Sequence, residues 1–271
     1  MIAAFWSNVG GSVGVTTNLA CLGSYYAARF GRKVIAFENH MPKHVGLEQA
    51  LISKREPRLM VREEPFYYDY RGMEQLLKIL RAGYEPESID QISISLLNDC
   101  LRYLPLSEQM CSSVYEYELN IVIERLLQEL NRRNDLVLVD TQAAENLTTK
   151  VILELADLVV VNLLQEGEQI EDFWKHYAGL EKKAVFLLGR YQEDHVYNRT
   201  NVARMYKIAK ERVWVMPEYP LLSFLYEQGK IPDFIGKNIW TSAGEKNYGL
   251  IRELRYAAET LRAWEKEGKL A

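Results

Sequence analysis

"FWSNVGGSVGVTTNLA", residues 5–20, joins an apolar run to the start of a helical pattern through a loop rich in glycine and hydroxyl residues and free of lysine. Three loop chemistries share that layout. A nucleophile elbow is matched literally by Gly10-Gly11-Ser12-Val13-Gly14, which reads G-x-S-x-G. That elbow normally follows several strands, however, and His176 and His195 lie downstream with nothing to position either as a base. A dinucleotide loop, G-x-G-x-x-G, would need glycine at Val9, and only Gly11 and Gly14 fit it, although Glu38 ends the next apolar run where an acid would meet a ribose hydroxyl. A phosphate-binding P-loop, G-x-x-x-x-G-K-[ST] on Val9 to Thr16, keeps Thr16 and the following Thr17 but puts Val9 at the first glycine and Val15 at the lysine. All three readings stay open on spacing alone.

The rest of the chain supplies the fold. Apolar runs "IAAFW", "KVIAF", "LRYL", "DLVLVD", "DLVVVNLL", "KAVFLLG" and "RVWVM" recur along it. Continuous rather than alternating apolarity marks strands covered on both faces of a parallel sheet. Helical spacing falls between them, at about 16–30, 72–82, 115–132, 146–155, 167–180 and 200–210. Strand and helix alternate, so the sequence predicts an α/β, doubly wound, mainly parallel sheet with helices on both faces. In such sheets ligands sit beyond the carboxyl ends of the strands, which makes the first strand-to-helix turn the expected site, and small residues there let backbone N–H groups meet an anion at a helix N-terminus. No linker or repeat divides residues 1–271, which read as one domain with an insertion at about 41–100. That insertion holds "KREPRLMVREEPFYYDYRGM", either a solvated segment anchored by a few rings or a partner surface. Near the C-terminus, Leu250, Ile251, Leu254, Ala257, Leu261 and Trp264 form one stripe, and mixed charges on the opposite face favour a helix packed on the sheet over one lying on a membrane.

Composition narrows the function classes. A formal net charge of -4 gives no global attraction to nucleic acid or anionic lipid. Cys21, Cys100 and Cys111 form no CxxC pair and fit reduced, structural thiols. "MIAAFW" lacks a basic leader and runs into glycine, unlike a signal peptide, and no apolar run approaches a membrane span. The expectation is a cytoplasmic protein. "NLT" at 146 and "NRT" at 198 match the glycosylation triplet, which matters only in secreted chains. His40 and His44 have metal-pair spacing only on a helix, which Pro42 between them opposes.

In the order of its segments the chain resembles the MinD/ParA group of P-loop ATPases, whose loop usually reads KGGVGKTT. Aligned on Thr16 and Thr17, the signature lysine falls on Gly10 and the phosphate lysine on Val15; an insertion at Ser12 would move the former to Val9. The family's D-x-D strand end becomes "FENH", with Glu38 and His40 at the two acids. "RNDLVLVDTQAAEN" is similar to the family's "yDyvivDtppg" and puts Asp140 at the metal-proximal aspartate; "LADLVVVNLLQEGEQIEDF" resembles the strand and helix that follow. "FLLGRYQED" matches the segment usually written "vvNry", with Gly189 at the base-contacting asparagine and Arg190 retained. "VMPEYPLLSFLYEQGKIP" resembles the closing segment, including Pro217 and Gly229.

The resemblance implies ATP or ADP held by Gly11, Ser12, Val13, Gly14, Val15, Thr16, Thr17, Arg190 and Pro217. It implies Mg²⁺ held by Thr16, Glu38 and Asp140, with Asp140 also catalytic. Asp140 has a plainer alternative as a strand-end acid capping the next helix. Because the lysine neutralises β- and γ-phosphate charge as the bond breaks, its loss implies weak or absent nucleotide binding and a pseudo-ATPase. The lysine-poor loop resembles that of the CpaE/TadZ branch, whose members usually carry an extra receiver-like N-terminal domain, whereas this sequence opens directly on the P-loop strand. That branch implies a positioning or assembly role for Flp/Tad-type pilus or secretion machinery, a homodimer, and membrane contact only through partners. The alternatives are an active MinD/ParA-type ATPase and a DNA-partitioning protein, the latter without a strong nucleic-acid signal in the charge.

Overall fold

A computed structural model of the chain describes residues 1–11, 13–41, 46–53, 72–106, 110–143 and 146–267. Eight strands form one sheet in the order β3-β4-β2-β5-β1-β6-β7-β8. They are β1 (Ile2–Trp6), β2 (Val34–Glu38), β3 (Ile94–Leu96), β4 (Leu101–Tyr103), β5 (Leu136–Asp140), β6 (Leu158–Leu163), β7 (Ala184–Tyr191) and β8 (Val213–Pro217). Every pairing is parallel except β3 with β4. The seven apolar runs are seven of these strands. β3 escaped the sequence reading because it is three residues long and only partly buried. It returns into β4 through Leu97, Asn98 and Asp99, all with positive φ, a turn that no glycine advertises.

Ten helices complete the described fold: α1 (Val15–Phe30), α2 (Leu47–Leu51), α3 (Met73–Arg81), α4 (Ser112–Arg133), α5 (Leu147–Leu155), α6 (Gly167–His176), α7 (Arg199–Tyr206), α8 (Leu221–Glu227), α9 (Ile231–Asn238) and α10 (Tyr248–Glu267). The strand period of two divides the core between the faces of the sheet. Ile2, Ala4, Trp6, Val137 and Val139 meet α3 to α7, whereas Ala3, Phe5, Leu136 and Leu138 meet α1, α2 and α8 to α10. Both faces are dry, which is why the runs read as continuous. The stripe on α10 is buried as its spacing predicts. Helices α8 and α9 are seven and eight residues long, too short for their period to stand out.

The two N-x-T triplets have a local explanation. Asn146 and Asn198 are the N-caps of α5 and α7, accepting hydrogen bonds from Thr149 N at 2.8 Å and Asn201 N at 3.0 Å. Within the insertion, α2, α3 and β3 are described, and residues 54–71, which hold most of its tyrosines, lie outside the described residues, as do Ser12 and His44.

Gly229, between α8 and α9, has φ 62°, and a Cβ there would stand 1.8 Å from the carbonyl oxygen of Ile52 just after α2. Chain against chain leaves no side chain to yield. Gly229→Ala should therefore destabilise the protein by at least about 2 kcal/mol, measured by denaturant unfolding, combining the left-handed penalty with the clash.

Candidate functional site

The loop after β1 is held from below. Gly11 and Gly14 both take positive φ, 118° and 88°, and Gly14 is the N-cap of α1. Val13 N donates to Gly11 O at 2.9 Å and Asn18 N to Gly14 O at 2.8 Å, closing the turn into the helix. From α6, Gln169 donates through Nε2 to the buried Ser7 Oγ at 3.3 Å and accepts from Leu164 N at 2.8 Å. Asn8 Nδ2 reaches Gln169 O at 3.0 Å and Asp172 Oδ2 at 2.8 Å. Val9, Gly10 and Gly11 stay exposed at the crest.

Two residues that depart from the MinD/ParA pattern serve packing. Val15 is the first residue of α1 and packs against the apolar cluster on that face of the sheet. Gly189, on β7, lies beneath the loop: a Cβ there would stand 3.0 Å from Val13 O, so a larger residue would make the loop give way. Beside it, Asn18 Nδ2 donates to Asn162 Oδ1 at 2.8 Å, and Asn162 Nδ2 reaches Val160 O at 3.0 Å and Trp6 O at 3.3 Å. This buried amide pair ties α1 to β6 and β1. Its sequence signal is the polar residue inside "LVVVNLL".

At the carboxyl ends of β2 and β5, Glu38 and Asp140 are direct register neighbours. Both are almost fully buried. Glu38 Oε1 accepts from Leu47 N at 2.8 Å and Oε2 from Tyr103 OH at 3.0 Å, while Tyr115 OH donates to the Glu38 carbonyl at 2.5 Å. Burial, and then the Asp140 charge, push the Glu38 carboxyl up to about 8 against the pull of those two donors. Asp140 is also raised by burial, opposed by His40 and by a hydrogen bond from Thr16. Its Oδ2 atom is buried and has no hydrogen-bond partner. Tyr226 of α8 donates to Gly46 O at 2.9 Å, and burial followed by the Glu38 and Asp140 charges raises its hydroxyl. Asn39, next in the chain, accepts from Gln142 N at 2.9 Å and donates to Thr149 Oγ1 at 3.2 Å.

The fold thus gathers Thr16, Glu38 and Asp140 beside the loop residues Gly11, Val13, Gly14 and Val15, with Thr17 half-buried on the same first turn. Arg190 and Pro217 end the adjacent strands β7 and β8; Arg190 is exposed at φ 46°. Capping of α5 belongs to Asn146, so Asp140 is free of that role. An orphaned carboxylate oxygen beside a threonine hydroxyl, at the mouth of a helix N-terminus, fits a divalent cation and a phosphate in its donor set. Glu38 fits less well, because both its oxygens already serve protein donors. The tyrosines 103, 115 and 226 were not legible as site residues, since each comes from a different element.

No family model and no curated protein matches the sequence. Solved structures do. The MinC:MinD cell division protein complex of Aquifex aeolicus superposes with a TM-score of 0.66 at 18% identity, covering 97% of this chain and 96% of that one. MinD complexed with Mg-ADP from Pyrococcus horikoshii OT3 gives 0.66 at 15%, covering 100% and 99%. A ParA family ATPase from Chlorobium tepidum TLS gives 0.65 at 12%, covering 98% and 97%. The chain has the MinD/ParA-type P-loop NTPase fold.

The acid pair sets a pH dependence. A carboxyl whose folded pKa is raised from 4.5 to about 8 binds its proton more tightly when folded. The associated stability is complete below about pH 4.5 and is lost as pH climbs through about 8. Glu38→Gln removes the charge, keeps an acceptor oxygen for Leu47 N and lets its amide nitrogen donate to the Tyr103 hydroxyl in place of the bond that the carboxyl accepted. Thermal melts of the ligand-free protein should show the native chain losing stability from pH 5.5 to 8.5. The variant should be flatter and the more stable at pH 8.5, by roughly 1–3 kcal/mol.

Proposed function

We propose that this chain is a MinD/ParA-fold positioning or assembly module whose nucleotide site is weak, and that its output is contact with other proteins rather than ATP turnover. The observation that carries this reading is Val15. At the phosphate-lysine position of the resemblance stands a partly buried apolar side chain packed against the core, and no lysine occurs between Met1 and Arg32. Charge developing on a transferred phosphoryl group would lack its usual charge-assisted donor. The loop amides and the α1 dipole still favour an anion, with Gly11, Ser12, Val13, Gly14, Thr16 and Thr17 forming the cradle and Arg190 and Pro217 flanking the base side. When bound, Mg²⁺ would supply positive charge beside the phosphates. Thr16 and Asp140 would hold it, relieving the burial of the acid pair, and Glu38 would brace Asp140 from the neighbouring strand.

Pilus or secretion machinery is the favoured context, through the resemblance of the lysine-poor loop to the CpaE/TadZ branch. The MinC:MinD complex is an instance of this fold carrying a protein partner. A homodimer built across the loop face would be insensitive to ATP, because the lysine that reaches across is absent. No described helix is long and apolar enough to cross a membrane, in keeping with a cytoplasmic module.

A second reading, slow magnesium-dependent ATP hydrolysis, is favoured by one observation, the buried and unpartnered Asp140 Oδ2. Turnover that survives repeated purification and vanishes in Asp140→Ala would establish it and remove the first.

Calorimetric titration with ATP and Mg²⁺ tests the weak site directly. The native chain should bind weakly or not at all, and Val15→Lys should gain about one to two decades in affinity, the worth of one charge-assisted contact. Submicromolar, magnesium-dependent binding by the native chain would overturn the reading.

A further inference from the structure

The end of α1 far from the glycine loop carries a ladder of cations and rings. Arg262 of α10 stands over the Phe30 ring at 4.4 Å, and Arg29 lies 5.8 Å from the same ring and 4.4 Å from the ring of Trp240, just beyond α9. Trp240 is 68% exposed, while Trp6, Trp214 and Trp264 are buried and Trp174 is half-buried. Lys237, exposed, lies one turn before Trp240. Stacking fixes the planes of the guanidinium groups and leaves their N–H edges free.

Among the described residues, neither Arg29, Arg262 nor Lys237 makes a hydrogen bond or ion pair with a carboxylate. The acids facing this region are occupied or distant from the arginines. Glu265 takes Tyr26 and Arg32, Asp135 takes Arg32, and Glu259, one turn before Arg262, forms no ion pair with it. The neighbouring Arg255 is spent on Tyr25 and the Thr241 carbonyl. Arg29, without a carboxylate partner among the described residues, therefore covers a tryptophan that the fold leaves in water, with Arg262 one ring further along the ladder and Lys237 three residues before the indole.

We propose that this end of the molecule rests on an anionic lipid surface, with Trp240 entering the headgroup layer and Arg29, Arg262 and Lys237 meeting lipid phosphates and carboxylates. An indole with one wet and one apolar environment suits the bilayer interface, and stacked guanidinium groups suit anionic headgroups above it. Duplex nucleic acid would use the cations and leave the indole without an apolar partner. The net charge of -4 confines the attraction to this end, since opposing charges more than a Debye length away are screened. α1 spans 16 residues, about 24 Å, between the ladder and the glycine loop. A lipid-resting module would thus keep its loop face open. This gives a direct route to the envelope where the sequence implied one only through partners, and it holds whether or not the loop binds nucleotide.

Trp240 is the exposed tryptophan of the five and reports on its own burial. The full chain, without nucleotide, would be titrated at low salt with phosphatidylcholine vesicles containing phosphatidylserine, with pure phosphatidylcholine vesicles, and with duplex DNA, reading emission wavelength and vesicle co-sedimentation. The expected result is a blue shift and co-sedimentation with the anionic vesicles alone, reversed by salt. Arg29→Gln with Arg262→Gln should weaken partitioning about 25-fold, roughly fivefold per charge. Trp240→Ala should weaken co-sedimentation as well, and both variants should melt as the native chain does. No shift and no sedimentation with anionic vesicles would overturn the proposal. So would equal binding to neutral vesicles, or a DNA complex lost in the same arginine variant, which would assign the ladder to nucleic acid.

Discussion

Two carboxyl groups, Glu38 and Asp140, stand side by side on adjacent strands with almost no water around them. Burying charge is costly unless it is paired, so the chain surrounds the pair with donors drawn from distant elements. Leu47 N at the start of α2 and Tyr103 OH at the end of β4 donate to the Glu38 carboxyl, while Tyr115 on α4 donates to the Glu38 main-chain carbonyl and Tyr226 on α8 to that of Gly46. The upper edge of the sheet is organised by that requirement.

The same corner explains the division of labour between the acids. Glu38 is saturated by protein donors, which makes it a strut between β2, α2 and β4. Asp140 keeps an unpartnered oxygen beside Thr16 and His40. In a low-dielectric site an unpartnered carboxylate oxygen is costly, and no side chain of the glycine loop carries a positive charge.

Around the loop, packing has taken over positions that chemistry holds in the resembled family. Val15, partly buried, packs the first turn of α1 against the core, and Gly189 lets β7 lie against the loop backbone. The Asn18 and Asn162 amides brace the same helix from beneath. These contacts hold the described flanks of the loop, Val13 and Gly14, against β7 and α1.

What the sequence by itself determined is the sheet and its two covers. Seven apolar runs and the helical stripes between them can bury their surface only as a parallel sheet between two helical layers, and local periodicity carries that information. The loop's small residues and Thr16 likewise marked the site at the carboxyl edge of β1. Tertiary structure alone decided how the site is built. Nothing local in "FENH" says that Glu38 is spent on Leu47 and Tyr103, that Asn146 relieves Asp140 of capping, or that Gly189 lies under Val13. Those contacts join residues far apart in the chain, so their energies exist only once the sheet has placed them together. The ladder of Arg262, Phe30, Arg29 and Trp240 was hidden for the same reason, since α1, α10 and the turn after α9 contribute to it and none carries the pattern alone.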